Sequence, residues 1–311
     1  MVERIATPHK YMSQDQNDNS ALQSEFEERI SPGKDWKEIV AWVGDLPPLP
    51  HVAAQALSMI EDPDTTAAKL TALLGGDTAL AARVLKIANS AMFSRQREIT
   101  TINQAIMTIG FKTLKGVIVA ATLRQLNRKF GKTEQAIWEN STCTAIGARV
   151  IATKLKKPYA EETFLLGLLH DLGKLVLMRQ VSKEYESIFN QTAKGTTFVE
   201  LEQKELGFNH ALIGALVAKK WNFSMETCQA ILHHHDVVPE QNRSDLDEKT
   251  LIIQTADLIA HAIGYGHPEG YPDCMEPANK ALTMLGFSMG DATKIIEDIK
   301  TAYTEGGAAF M

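Results

Sequence analysis

The residues best able to do chemistry in this 311-residue chain are histidines and aspartates set in apolar surroundings. His170 and Asp171 stand side by side within GLLHDLGKLVL, and Lys174 follows them. An ionisable pair in such a run is costly unless it is hydrogen-bonded, paired or metallated. Further along, His210 follows GFN, His233-His234-His235-Asp236 closes the apolar run AIL, and Asp257 interrupts TLIIQTADLIAHAIG. Imidazoles and carboxylates drawn from separate segments suit a mixed nitrogen and oxygen site for a divalent metal such as Fe, Mn, Zn or Mg. An open coordination position on such a metal can activate water. The candidate metal ligands are therefore drawn from His170, Asp171, His210, the run His233-His234-His235-Asp236 and Asp257.

Each residue also has a plainer reading. His170 and Asp171 can bond to one another as a buried polar pair. His210 can open a helix near the surface, and three consecutive histidines suit a helix C-terminus, where the dipole favours cations. Asp257 can pair with a neighbouring Lys or His. Taken as a set, these unusual titratable groups read as one shared site.

The elements that must position them are helices. Apolar residues recur on one face at Val52, Ala56, Leu57 and Ile60, at Leu80, Val84, Leu85 and Ala88, and at Phe111, Leu114, Ile118 and Ala121. The pattern predicts long helices over about 134–156 and 160–178, the second carrying the His-Asp pair. Thr197 with Glu200 predicts a capping box. Further helices are expected over 210–221, 225–234, 248–262 and 289–303, with a loop rich in Gly and Pro over 264–277. No segment sustains the period-two alternation of a strand, so the fold is expected to be all-α, in two helical lobes joined near Gly131. Residues 1–30 read as a flexible N-terminal arm, because 11–20 (YMSQDQNDNS) is almost wholly polar. Residues 31–131 form the first lobe, 132–304 the core and C-terminal helices, and 305–311 a frayed tail.

Composition excludes several classes. Apolar residues make up 44% and charged residues 23%, with a formal net charge of −6, as in ordinary globular chains. Cys143, Cys228 and Cys274 are odd in number and form no CxxC, which reads as reduced thiols in the cytoplasm. The longest apolar-leaning stretch, 116–123, is short of the roughly 20 residues a membrane helix needs, and no secretory leader is visible. Charge is uneven: ten basic residues between Arg83 and Lys132 face the single acid Glu98, a net +9 that leaves −15 elsewhere. That stretch reads as solvated helix faces or as an anion-attracting lobe. The absence of interleaved aromatics argues against nucleic acid.

The pattern resembles the HDOD proteins, the HD-related output domains of bacterial signalling. The resemblance runs from Asp45 to Asp257, through LPPLPHVAAQALSMIEDPDTTAAKLTALLGGDTALAARVLKIANSAMFS, ITTINQAIMTIGFKTLKGVIVA, FLLGLLHDLGKLVL, ELGFNHALIGALVAKKWNF and AILHHHDVVP. It implies an N-terminal helical lobe packed on an HD-like helical core. It also implies a regulatory role in a family whose members generally lack a demonstrated enzymatic activity. The related HD and HD-GYP phosphohydrolases carry a Glu and a His on the helix before the HD pair, and those positions fall here at Ala136 and Asn140. The resemblance leaves His170, Asp171, His210, His234, His235 and Asp257 as the matching metal ligands, with Lys174 as a candidate phosphate contact. Gly270-Tyr271-Pro272 spells the GYP signature but follows Asp257, whereas in the catalytic family it precedes the final Asp, so it reads as coincidence.

Two missing ligands weaken the symmetric clamp of a two-metal hydrolase. The expectation is a stand-alone, non-catalytic cytoplasmic adaptor that binds a signalling protein or a cyclic dinucleotide, with a vestigial metal site. The alternative is a metal-dependent phosphohydrolase acting on a nucleotide or cyclic dinucleotide. Neither the ligand nor the oligomeric state is legible from the residues.

Overall fold

The structure is a computed structural model, and it describes residues 22, 24–32, 39–41, 43, 48–93, 98–126, 131–238 and 243–311. The described residues are helical, with no strand among them. Three short helices, α1 (His51–Glu61), α2 (Ala67–Gly75) and α3 (Thr78–Ala88), pack on the long α4 (Ile102–Leu126) to form the N-terminal lobe. The start of α3 is fixed by Asp77, whose side chain accepts from the backbone N–H groups of Ala79 and Leu80. α4 bends at Gly110, where φ of 75° is open to glycine at no steric cost.

The second part is centred on α5 (Lys132–Lys154), which packs against α6 (Ala160–Leu169), α12 (Asp245–Ala262) and α14 (Met289–Gly306). Around these lie α7 (Leu172–Gln180), α8 (Ser182–Gln191), α9 (Phe198–Glu205), α10 (His210–Lys220), α11 (Met225–Leu232) and α13 (Met275–Met284). The expected Thr197–Glu200 capping box is present at the start of α9, and equivalent boxes open α12 at Ser244 and α14 at Ser288. α4 rests on α6, so the N-terminal lobe packs on the core. A single hydrophobic cluster runs through both, from Leu70 and Leu114 to Trp138, Phe164 and Ile299.

Four expectations are corrected. The helix over 160–178 is two helices, because the chain leaves helical geometry at Asp171 (φ −96°, ψ 12°), so the His-Asp pair sits at a bend. Part of the expected N-terminal arm is packed: Leu22 and Phe26 are buried, and the Ser31 N–H donates to the Gly207 carbonyl at 2.7 Å. The rest of that arm, 1–21 and Gln23, lies outside the described residues. The expected frayed tail is also packed, since α14 runs to Gly306, Phe310 is buried and Trp138 Nε1–H donates to the Phe310 carbonyl at 3.1 Å. The Gly- and Pro-rich stretch is shorter than expected, because α13 begins at Met275 with Pro277 in its first turn. α4 is long and apolar enough to cross a membrane, more than the sequence pattern implied, yet 61% of its most apolar window is buried within the protein.

Candidate functional site

The bend at 170–171 solves a geometric problem. Adjacent residues of a straight helix diverge by roughly 100°, which would aim imidazole and carboxylate apart. Here His170 caps α6 and Asp171 opens α7, and both side chains turn into the same interior space. Lys174 follows in the first turn of α7 and donates to Asp171 Oδ2 at 2.8 Å. Its ammonium also sits over the Phe198 ring, 4.2 Å from the centroid.

Every other sequence-predicted ligand reaches this space from a separate element. His210 is the first residue of α10, held there by Asn209, whose side chain accepts from the Leu212 N–H. His210 Nε2 lies 3.1 Å from Asp171 Oδ1. His234 and His235 come from the turn after α11, with His234 Nε2 3.3 Å and His235 Nε2 2.8 Å from His210 Nε2. Asp257, on α12, brings Oδ1 to 3.4 Å from His170 Nε2. His170, Asp171, His210 and His234 are buried to within 1% of full exclusion, and Asp257 is 6% exposed, whereas His235 is exposed. The first of the three consecutive histidines, His233, faces away toward Glu25 and Asp236.

The hydrogen bonds around the rings fix their tautomers. His170 Nδ1 faces the Gly167 carbonyl at 2.7 Å, His234 Nδ1 the Ile231 carbonyl at 2.6 Å and His210 Nδ1 the Glu202 carboxylate at 2.6 Å. In each case Nδ1–H must donate, so the neutral ring carries its lone pair on Nε2. Three such lone pairs, joined by His235 Nε2, converge on two carboxylates. Acceptors crowded at these distances repel unless cations or protons lie between them. His170 Nε2 and Asp171 Oδ1 are moreover buried without a hydrogen-bond partner. The donor atoms form two sets that share Asp171: Asp171, His210, His234 and His235 in one, and His170, Asp171 and Asp257 in the other, each set lying within 4.8 Å. This donor chemistry fits divalent metal.

The metal-free charge balance follows from the same packing. Burial opposes protonation of His170, but the Asp171 and Asp257 charges outweigh it and raise its pKa. Burial likewise opposes protonation of His210, and Glu202 with Asp171 raises it. For His234, burial and the charges of His170 and His210 act together and push the pKa down to about 3. Burial would raise the Asp171 carboxyl, but His170 and Lys174 hold it well below the usual carboxylate range. Lys174 stays an ammonium, because Asp171 more than offsets its burial.

Glu202 and His261 carry no signal in the sequence, and Asn140 is marked there only as a departure from the histidine of the related enzymes. Glu202 is fully buried beside Phe198 and Leu201 on the inner face of α9 and accepts from His210 Nδ1–H, from the His210 backbone N–H at 2.8 Å and from Tyr185 Oη–H at 2.5 Å. Asn140 donates from Nδ2 to Asp257 Oδ1 at 3.0 Å, so this side chain does reach the site. His261 Nε2 lies 3.4 Å from the same oxygen. Tyr271, within the Gly270–Pro272 segment set aside above as coincidence, stacks on His261 with ring centroids 4.7 Å apart.

Comparison with known proteins places this geometry. The model of the HDOD domain matches residues 46–237, more than half of the chain. The chain belongs to the HDOD family. Its fold is similar to that of a Shewanella amazonensis protein provisionally named a phosphohydrolase, with a TM-score of 0.69 at 24% identity over 88% of this chain and 98% of that one. An HDOD domain protein of unknown function from Geobacter sulfurreducens gives a TM-score of 0.69 at 22% identity, over 89% and 98%. A Marinobacter aquaeolei protein provisionally named a signal transduction protein gives 0.63 at 15% identity, over 95% and 66%. Among curated sequences, an uncharacterized protein of Treponema pallidum is 24% identical over 203 residues, 64% of this chain and 40% of that protein. This HDOD chain spans less than half the length of the curated relatives it matches.

Proposed function

We propose that this HDOD protein is a non-catalytic signalling module whose core is organised by a divalent metal held among His170, Asp171, His210, His234, His235 and Asp257. One observation carries the reading: five of the six converging residues, all but His235, are buried, and the cation beside them, Lys174, is already spent on Asp171 and the Phe198 ring. A phosphate-stabilising lysine would have to be free to meet substrate charge. A bound metal would supply positive charge that neutralises the converged lone pairs and carboxylates. The chain's own residues do the rest: Gly167, Ile231 and Glu202 hold the imidazole tautomers, and the bend at 170–171 holds the His-Asp pair together. The output is an interaction with a signalling protein or a cyclic dinucleotide.

The second reading, a metal-dependent phosphohydrolase acting on a nucleotide or cyclic dinucleotide, is favoured by the two donor sets that share Asp171 and by the exposed edge at His235. Two adjacent metals sharing a carboxylate are the arrangement of in-line phosphoryl chemistry. Against it stands Asn140, whose amide donates to Asp257 where the related enzymes carry an imidazole.

One experiment separates them. Protein purified without a histidine tag is analysed for metal, reconstituted with manganese, and assayed with a generic phosphodiester. Bound metal without turnover supports the module. Turnover well above background that is lost in both His170→Ala and Asp171→Ala overturns it in favour of the enzyme. Protein that takes up no metal refutes the metal reading altogether.

A further inference from the structure

We propose that His261 is an additional metal ligand, completing the donor set of His170, Asp171 and Asp257; this rests on the metal reading above. The two sets that share Asp171 are unequal. One has four donors, in Asp171, His210, His234 and His235, and the other has three. A closed tetrahedral site, as zinc prefers, takes four donors, so for such an ion the smaller set is one short.

The structure offers one further imidazole there. His261 follows Asp257 by four residues on α12, which places both on one helix face. Its side chain is buried, and Nε2 stands 3.4 Å from Asp257 Oδ1, the oxygen that His170 Nε2 approaches at the same distance. The other ring nitrogen, Nδ1, lies 3.0 Å from the Tyr265 carbonyl, which can only accept. Nδ1–H therefore donates, and the Nε2 lone pair is turned toward a carboxylate. This is the arrangement already met at His170, His210 and His234, where a backbone carbonyl or carboxylate fixes Nδ1 and Nε2 is presented inward. Such outer contacts are how proteins orient ligating imidazoles.

The surroundings hold the ring for this task. Tyr271 stacks on it, and His267 Nε2 reaches the His261 carbonyl at 3.0 Å, tying the following loop to the end of α12. The competing position on the opposite helix is filled by Asn140, which gives Asp257 an amide N–H rather than a lone pair. Gly266 closes over Asn140, because a Cβ there would lie 2.6 Å from Asn140 Cβ. His261 Nε2 is not among the donor atoms that lie within 4.8 Å of one another, so ligation requires His261 and the other three donors to draw closer while Nδ1–H stays on the Tyr265 carbonyl.

The test uses the full chain without a histidine tag, Co(II) alone as the probe, and ¹⁵N-histidine labelling. Cobalt affinity is measured by chelator competition in the wild type and in His261→Gln, with thermal melts to confirm folding. The expected result is a loss of affinity of about tenfold or more in His261→Gln, by comparison with the 10–100-fold typical even of outer-contact changes. Cobalt-loaded wild type should also show a hyperfine-shifted, exchange-protected imidazole N–H from the bond His261 makes to Tyr265, absent from the variant. Should the variant fail to fold, the wild-type spectrum decides: a shifted His261 signal supports ligation, and an unshifted one overturns it. If the wild type binds cobalt and His261→Gln matches it in affinity and spectrum, His261 is no ligand and the metal reading stands. If the wild type binds no cobalt, both fall.

Discussion

Gly173→Ala should destabilise this protein through a single methyl group. Gly173 is two residues past Asp171 in the first turn of α7, where α7 crosses the start of α10. A Cβ built there would lie 1.9 Å from the His210 carbonyl oxygen, 2.8 Å from its carbon and 2.9 Å from the Gly214 nitrogen. All three are backbone atoms, so no rotamer change relieves the overlap, and the helices must separate by more than an ångström. Overpacking of ordinary cores costs about 1–3 kcal/mol and occasionally more, and a clash with rigid backbone belongs at or above the upper end. At about 2 °C per kcal/mol, the lower end of the range for large domains, a loss of ~3 kcal/mol lowers Tm by ~6 °C. The same displacement carries His210 away from Asp171, now 3.1 Å from it, so metal uptake should weaken as well. Thermal unfolding followed by circular dichroism, with and without added manganese, reads both effects. A variant melting within 1 °C of wild type with unchanged metal affinity would falsify the claim that close α7–α10 contact builds the site.

Three further outcomes are expected. Metal uptake should release protons, because burial opposes protonation of His170 and His210 but the neighbouring carboxylates outweigh it and raise their pKa values, so that protons compete with metal for both rings; affinity should rise with pH, and calorimetry in buffers of differing ionisation enthalpy that detects no proton release would refute it. Glu202→Gln should lower metal affinity by about 10–100-fold while retaining the fold, whereas Glu202→Ala, which strands Tyr185 Oη–H and two His210 N–H groups, should cost about 3–5 kcal/mol by analogy with a broken buried pair; denaturant melts and chelator competition distinguish the two. The native thiols should resist a thiol reagent at pH 8, since burial raises Cys228 to about 11 and Cys274 to about 12, and burial with the Asp257 charge raises Cys143 strongly; labelling of the folded protein as fast as of the unfolded chain would contradict this.

Much of the fold was legible because helical periodicity is local. The apolar spacing of α1, α3 and α4, and the Thr197–Glu200 box, depend on residues within one to three turns of each other, and the structure repeats them. Features decided by distant contacts were not legible. The packed C-terminus is explained by Trp138 donating to Phe310 across 172 positions. The described part of the N-terminal arm is held by burial of Phe26 and by Arg29, which pairs with Asp236 and lies 2.9 Å from His233 Nδ1. Residues 22–31 contain apolar anchors, but nothing in that short segment announces the surface that receives them.

The candidate site divides along the same line. Residues whose type is costly in an apolar setting announced themselves: an imidazole beside a carboxylate in GLLHDLGKLVL has few physical explanations, and the structure brings all six such residues together. The bend that lets His170 and Asp171 point inward was not visible, because periodicity registers apolar faces and the apolar face continues through it. The contacts of Glu202, Asn140 and His261 were invisible for a different reason, although Asn140 was marked as standing where the related enzymes carry a histidine. A glutamate in an amphipathic helix, an asparagine before a run of Ser and Thr and a histidine near a helix end are each unremarkable as residue types. What distinguishes them is the group they face: Glu202 meets the Nδ1–H of His210, and Asn140 and His261 meet one oxygen of Asp257. Chemical cost marks the residues at the centre of such a site, whereas those that orient them are defined only by contact.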